Sequence, residues 1–224
     1  MNKLKVPRIY HLPWSQSLNK DDKYIHNNNL FVNKQVVILV KYDGESTSLY
    51  SDGTFHARSL YSKSNPSRDW LHNWWSNIVF TDEYKQLLIK YPDLRLVGEN
   101  MYAVHTIKYN NLPDFFILHS AWNELTCLSW DETEAISILL NMSTAAVLYR
   151  GLYVESIAKL YNSLELYNHD PIEGYIIRNS QSYNYLDSDN NIAKFVSSNF
   201  KIDDTKKHWT SQTITRNNIK QQYN

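Results

Sequence analysis

The sequence has a single cysteine and no net charge. Because Cys127 stands alone among 224 residues, the chain can form neither an intramolecular disulfide nor a zinc site of several cysteines. Lysine plus arginine and aspartate plus glutamate number 23 each, so no overall positive field attracts nucleic acid. Any nucleic-acid binding must therefore use a local basic surface. The cysteine usage favours a reducing compartment, and we expect a cytoplasmic protein.

Long hydrophobic runs are also missing. No segment approaches the roughly 20 apolar residues of a membrane span, and the N-terminus lacks the apolar run of a signal peptide. We therefore expect no membrane association. Hydrophobic residues make up 42% and charged residues 21%, which is typical of folded domains. We expect one monomeric domain over residues 1–224, with an irregular arm over 1–33 and a short polar surface tail over 202–224.

Short apolar segments separated by turn signals predict an α+β fold. The Asp52-Gly53 pair is a strong hairpin signal between two of the predicted strands. Strands are predicted over residues 35–41, 46–51, 54–61, 94–102, 114–122, 145–150, 173–179 and 191–197. Helices are predicted over residues 67–91, with a break near Thr81, and over 131–141 and 154–164.

Lys41 is the central candidate for chemistry. It ends the apolar strand and begins the sequence KYDGES at residues 41–46. We expect burial to lower the pKa of this lysine and to provide the free amine that a nucleophile needs. Gly44 would allow backbone to approach a phosphate closely. The four residues 41–44 alone are also compatible with a simple turn after a strand, so the sequence context decides whether they form a reactive site.

This context resembles the covalent nucleotidyltransferases, which comprise ATP-dependent DNA ligases, RNA ligases and mRNA capping enzymes. KYDGES is similar to their motif I, and similar segments follow in the same chain order. They are HARS at 56–59, LVGE at 96–99, DFFILHS at 114–120, EGYIIR at 173–178 and KFV at 194–196. The resemblance extends from Lys41 to about Phe200 and implies a nucleotidyltransferase domain, an ATP-grasp-like ligase fold with antiparallel sheets flanked by helices.

The resemblance also implies roles for individual residues. Lys41 would attack the α-phosphorus of ATP with the help of Mg²⁺ or Mn²⁺, and Glu173 and Lys194 would serve the same phosphoryl chemistry. Glu173 and Glu99 are the candidate metal ligands. The implied ATP- or AMP-binding set is Lys41, Asp43, Gly44, Arg58, Glu99, Glu173 and Lys194, with His119 or Phe116 stacking on adenine.

Two features of the candidate site depart from the pattern or stay open. The family usually has a second basic residue close to Lys194, but serines follow here and Lys201 is the nearest candidate for a phosphate contact. Arg58 could bind the phosphate of AMP or that of the RNA 5′ end.

The HARS segment favours RNA ligases over the other members. About two dozen residues follow Phe200, so we expect no C-terminal OB-fold, which disfavours DNA ligation and capping. The sequence looks most like ligases that join 3′-OH and 5′-phosphate RNA ends at nicks in duplexes. Two alternatives stay open: a nucleic-acid-binding module that has lost catalysis, and an adenylyltransferase with another acceptor. The high asparagine content suggests an AT-rich, viral or phage genome.

Overall fold

The computed structural model describes residues 3–18, 22–26, 29–61, 64–200, 209 and 213–220. Its strands are β1 (Tyr10–His11), β2 (Gln35–Lys41), β3 (Glu45–Tyr50), β4 (Phe55–Ala57), β5 (Leu94–Asn100), β6 (Phe116–Asn123), β7 (Thr126–Cys127), β8 (Ser143–Thr144), β9 (Val147–Leu152), β10 (Leu166–Tyr167), β11 (Asp170–Pro171), β12 (Gly174–Asn179), β13 (Tyr183–Asn184) and β14 (Ile192–Val196). The helices are α1 (Asp69–Ile78), α2 (Asp82–Lys90), α3 (Trp130–Leu139) and α4 (Glu155–Leu160). Short 3-10 helices cover Pro66–Arg68, Tyr161–Ser163 and Tyr185–Asn190.

Two mainly antiparallel sheets form the centre of the fold. One has the strand order β1-β14-β12-β2-β9, and the other has the order β13-β7-β6-β5-β3-β4 with β8 added beside β6. Strands β2 and β3 belong to different sheets, so the 41–46 segment crosses from one sheet to the other. The predicted α+β class is confirmed.

Strand β2 is buried on both faces, which explains its continuous apolar sequence. Val36 and Ile38 pack in a core on one side of the five-stranded sheet. Val37 and Leu39 pack in a second core that includes Ile117 of the other sheet. The lysine that ends β2 therefore lies between the two sheets.

The break predicted near Thr81 is present. Thr81 has an extended backbone, and its hydroxyl accepts a hydrogen bond from the backbone N–H of Tyr84 at 3.2 Å. This cap begins α2 after α1 has ended at Ile78. Helix α3 begins with a capping box in which Ser129 and Glu132 bond to each other's backbone N–H groups. None of the helices in the described residues is long and apolar enough to cross a membrane.

Three sequence predictions need correction. The strand predicted over 54–61 ends at Ala57, so Arg58 follows the strand instead of lying on it. The predicted irregular arm contains β1, which pairs in parallel with β14. The tail was predicted to be surface, and residues 213–220 are mostly exposed, but Asn217 among them is fully buried and its amide donates to the backbone oxygen of Met101 at 2.8 Å.

Candidate active site

Lys41 and Glu173 meet because their strands are neighbours. Lys41 is in register with Gly174 across the β2–β12 ladder, and the Glu173 backbone N–H donates to the Lys41 backbone oxygen at 3.2 Å. The Glu173 backbone oxygen in turn accepts from Ser197 N–H at 3.0 Å. This backbone frame lets the Lys41 ammonium donate a hydrogen bond to the Glu173 carboxylate. Both side chains are largely buried, with 18% and 11% of their surface exposed.

The other sheet places Glu99 and His119 opposite this pair. Glu99 Oε1 lies 3.8 Å from His119 Nε2, on the neighbouring strands β5 and β6. Lys41, Glu99, His119 and Ile176 line a narrow cleft between the sheets. The cleft has a free volume of only about 10 Å³, which is about the space that one water needs. A nucleobase can enter only if the side chains that line the cleft move apart.

The charge on Lys41 differs from the sequence expectation. Burial would lower the pKa of Lys41, but the carboxylates of Glu173 and Glu99 outweigh burial and raise this pKa above its usual value. The expectation of a lowered pKa was wrong because the sequence does not reveal two carboxylates beside the amine. Burial also raises the pKa of Glu173, against the effect of Lys41. We take the ammonium–carboxylate pair as the resting state because the two groups are in direct contact.

Burial shifts the pKa values of both Glu99 and His119 towards the neutral form. Burial raises the pKa of Glu99 well above its usual value. Burial, followed by the charges of Arg178 and Lys41, lowers the pKa of His119 to about 3. Arg178 also donates to the His119 backbone oxygen at 3.2 Å. His119 thus presents a neutral ring to the cleft, which can stack on a base.

Phe116, the alternative stacking residue, is fully buried and packs against Trp74 with ring centroids 5.2 Å apart. It does not line the cleft. His119 is therefore the ring that the fold brings to Lys41.

The N-terminal arm surrounds Lys194. His11 is in register with Lys194, and Asp22 Oδ1 lies 3.6 Å from the Lys194 ammonium. Burial, then the charge of Lys41, lowers the pKa of Lys194. The sequence analysis did not identify His11 or Asp22. The HLPWS sequence at 11–15 could have indicated this contact with β14. Leu12 N–H donates to the backbone oxygen of Lys194, and the Ser15 hydroxyl accepts from Val196 N–H.

A wider cavity of about 510 Å³ adjoins the cleft and shares Lys41 and Glu99 with it. Arg58 lies exposed at this cavity, directly after β4. Arg68 also lines the cavity and binds the Glu45 carboxylate twice, at 2.7 Å from Nε and 2.5 Å from NH2. Arg58 is therefore an exposed cation beside the space in front of the Lys41 amine, whereas Glu45 balances the charge of Arg68.

Asp43 and Gly44 make contacts within the protein that fix the turn after Lys41. The Asp43 carboxylate accepts from the backbone N–H groups of Thr106 and Ile107 at 2.7 and 2.8 Å, which attaches the β5–β6 loop to the turn after Lys41. A Cβ on Gly44 would meet Met101 Sδ at 2.4 Å and the Asn100 backbone oxygen at 3.1 Å. Gly44 therefore allows close packing against β5. Lys201 lies outside the described residues.

Comparisons with known proteins identify a family and a fold. The sequence model of the RNA ligase family matches residues 34–196. A mutant Naegleria gruberi RNA ligase with ATP and Mn has a similar fold, with a TM-score of 0.54, 14% identity and coverage of 88% of this chain and 60% of that chain. A protein of Aquifex aeolicus described as an ATP-dependent DNA ligase has a TM-score of 0.54, 18% identity and coverage of 87% of this chain and 50% of that chain.

These identities are low, so the structural matches show a shared fold, that of the ligase nucleotidyltransferase domain. The chain spans 50% and 60% of the lengths of these two structures. A sequence comparison with curated proteins finds no significant match.

Proposed function

The chain belongs to the RNA ligase family, and from this premise we propose that it is an ATP-dependent RNA ligase that acts through a covalent Lys41–AMP intermediate. One observation carries the proposal. The Lys41 amine lies where a narrow cleft lined by His119 meets a wide cavity lined by Arg58, and it contacts the carboxylate of Glu173. Once the side chains that line the cleft move apart, a base and a phosphate can approach the same amine from two sides.

In the first step the Lys41 nitrogen forms a bond to the α-phosphorus of ATP, and the bond to pyrophosphate breaks. The ammonium must lose its proton first, and Glu173 is the group in contact with it. Burial raises the pKa of Glu173, which makes this carboxylate a better proton acceptor. Lys194, near Lys41 and partly buried, supplies a second cation for the α-phosphate.

Glu99 and Glu173 are the candidate ligands for a divalent cation that enters with ATP. Two carboxylates fit Mg²⁺ or Mn²⁺, which complete their coordination with water and phosphate oxygens. Among the described residues no group of three or more His, Cys, Asp or Glu could hold a metal by itself. When bound, such an ion would neutralise charge on the phosphates. The Naegleria gruberi structure contains ATP and Mn, and its similar fold supports ATP and a divalent metal ion as cofactors of this chain.

In the later steps AMP would pass from Lys41 to an RNA 5′-phosphate, and a 3′-OH would then displace AMP to seal the strand. We propose a nick in a duplex as the substrate. This choice rests on the resemblance of the motif series to nick-sealing ligases and on Arg58, an exposed cation at the cavity that adjoins Lys41.

Incubation with ATP labelled at the α-phosphate and Mg²⁺ or Mn²⁺ tests the covalent step. We expect a label that is stable in alkali and labile in acid, as a phosphoramidate is, on the wild type and on Lys90→Ala, an exposed lysine outside the site, and none on Lys41→Ala. A wild type that takes no label would favour the alternative of a nucleic-acid-binding module that has lost catalysis. A label that never yields a joined strand on a nicked RNA duplex with a 5′-phosphate would indicate another acceptor.

A further inference from the structure

Trp209 and His105 form a stacked ring pair at the wide cavity. Their centroids are 4.0 Å apart and their planes differ by 15°. Both residues line the cavity together with Lys41 and Arg58. Trp209 is half-buried, so the pair presents aromatic surface to the same space that the nucleophile faces.

Hydrogen bonds hold His105 on both sides. Before it, Val104 N–H donates to the backbone oxygen of Thr215 at 2.8 Å. After it, the N–H groups of Thr106 and Ile107 donate to the Asp43 carboxylate. Asp43 is two residues from Lys41, so the segment that carries His105 is fixed relative to the nucleophile, and Trp209 stacks on this fixed ring. A rigid aromatic surface binds a base without a large entropic cost.

The charge of the cavity favours a nucleotide as its ligand. Arg58 is an exposed cation at the cavity, whereas the carboxylate of Glu45 balances Arg68. An aromatic surface beside a cation matches a nucleotide, whose base stacks while its phosphate pairs with the cation. The volume of about 510 Å³ lies within the usual range for pockets of small ligands.

We propose that the wide cavity binds the terminal nucleotide of the strand that carries the 5′-phosphate, with its base on the Trp209–His105 pair and its phosphate at Arg58. This inference rests on the proposed function and adds the residues that hold the RNA end. The adenine of ATP would then occupy the narrow cleft at His119, and the two bases would lie on opposite sides of the Lys41 amine.

The test compares two steps of one reaction in Trp209→Ala, Trp209→Phe and Phe80→Ala. Self-adenylation is measured with labelled ATP, and AMP transfer is measured by mixing adenylated protein with a nicked RNA duplex that bears a 5′-phosphate. Loss of one base–aromatic stack should weaken transfer at low substrate by roughly tenfold or more in Trp209→Ala. We expect Trp209→Phe to retain most of the transfer, and Phe80→Ala, 75% exposed and outside the cavity, to match the wild type.

Equal losses in both steps for Trp209→Ala would overturn the proposal, because the ring pair would then serve ATP. A wild type that takes no label would contradict the proposed function instead. In that case the binding of a fluorescent 5′-phosphorylated RNA in the absence of ATP decides. Binding that weakens about tenfold in Trp209→Ala supports the ring pair as a nucleotide site, and unchanged binding rejects it.

Discussion

The Lys41 ammonium and the Glu173 carboxylate are in hydrogen-bond contact at the adjacent ends of two paired strands. The same backbone ladder that pairs β2 with β12 therefore brings together the two groups that set the charge of Lys41. Because the carboxylates of Glu173 and Glu99 outweigh burial, the pKa of Lys41 is raised and the amine rests in its protonated form. The proposed attack on ATP requires that Lys41 lose this proton first.

Removal of the Glu173 charge should lower the pKa of Lys41. In Glu173→Gln, burial remains while the main stabilising charge is lost, so Lys41 should react with an amine-modifying reagent at a lower pH than in the wild type. Mass spectrometry of the modified peptide across pH gives the midpoint. Glu155→Gln, which breaks the exposed pair with Lys159, should leave the Lys41 midpoint in place. A Lys41 midpoint that rises in Glu173→Gln would contradict this account of the pair.

The Glu45–Arg68 pair should contribute more to stability than the surface pairs. Only 8% of the Glu45 side chain and 13% of the Arg68 side chain are exposed, and two hydrogen bonds join them. Glu45→Gln removes a buried carboxylate charge that contacts the guanidinium, so we expect a loss of about 3 kcal/mol in the free energy of unfolding by urea. Asp82→Asn, in a mostly exposed pair with Lys85, should change it by less than about 0.5 kcal/mol. Equal effects of the two substitutions on the free energy of unfolding would show that the Glu45–Arg68 pair is solvated.

Asp43 should control the rate of backbone hydrogen exchange at one end of the β5–β6 loop. Its carboxylate accepts from the N–H groups of Thr106 and Ile107, whereas Asp170 accepts from those of Asn110 and Asn111 at 2.8 and 2.7 Å. Asp43→Ala should therefore speed hydrogen exchange at 106 and 107, and Asp170→Ala should speed it at 110 and 111. Exchange measured by NMR or by fragment mass spectrometry separates the two sites. Identical patterns in both variants would mean that the loop opens as one unit.

His11 should make stability depend on pH. Burial, then the charge of Lys194, lowers the pKa of His11 to about 4 in the folded protein, against about 6.5 when unfolded. Between these values the unfolded chain binds the proton and the folded chain does not. The free energy of unfolding should therefore fall as the pH drops below about 6.5, by about 2 kcal/mol from this group at pH 5.

Urea unfolding at pH 7 and pH 5 measures this dependence. His11→Gln should show the smaller loss between the two values, and His26→Gln, at an exposed position, should follow the wild type. An equal loss in His11→Gln and the wild type would show that folding does not lower the pKa of His11.

Strand β2 and the break between α1 and α2 were predictable because local sequence decides them. A run of apolar β-branched residues at 35–41 suits a strand buried on both faces, and a threonine such as Thr81 can cap a helix with its own side chain. The order of the motifs likewise identified Lys41, Glu99, Glu173 and Lys194 before their positions were known. The family match to residues 34–196 confirms that this order is informative about the family.

Other features depend on tertiary contacts. The choice between His119 and Phe116 depends on which side chain of β6 faces the cleft, and Phe116 turns into the core beside Trp74. The roles of His11 and Trp209 depend on segments far apart in the chain that meet at β14 and at the β5–β6 loop. Sequence spacing carries little information about such contacts.

The sequence by itself determined the family and pointed to Lys41 as the proposed nucleophile, because both inferences depend on residue types and on their order along the chain. Only the tertiary structure decided the protonation of Lys41. Electrostatic energies depend on distances and burial, and folding brings Glu173 beside an amine that lies 132 positions away in the sequence.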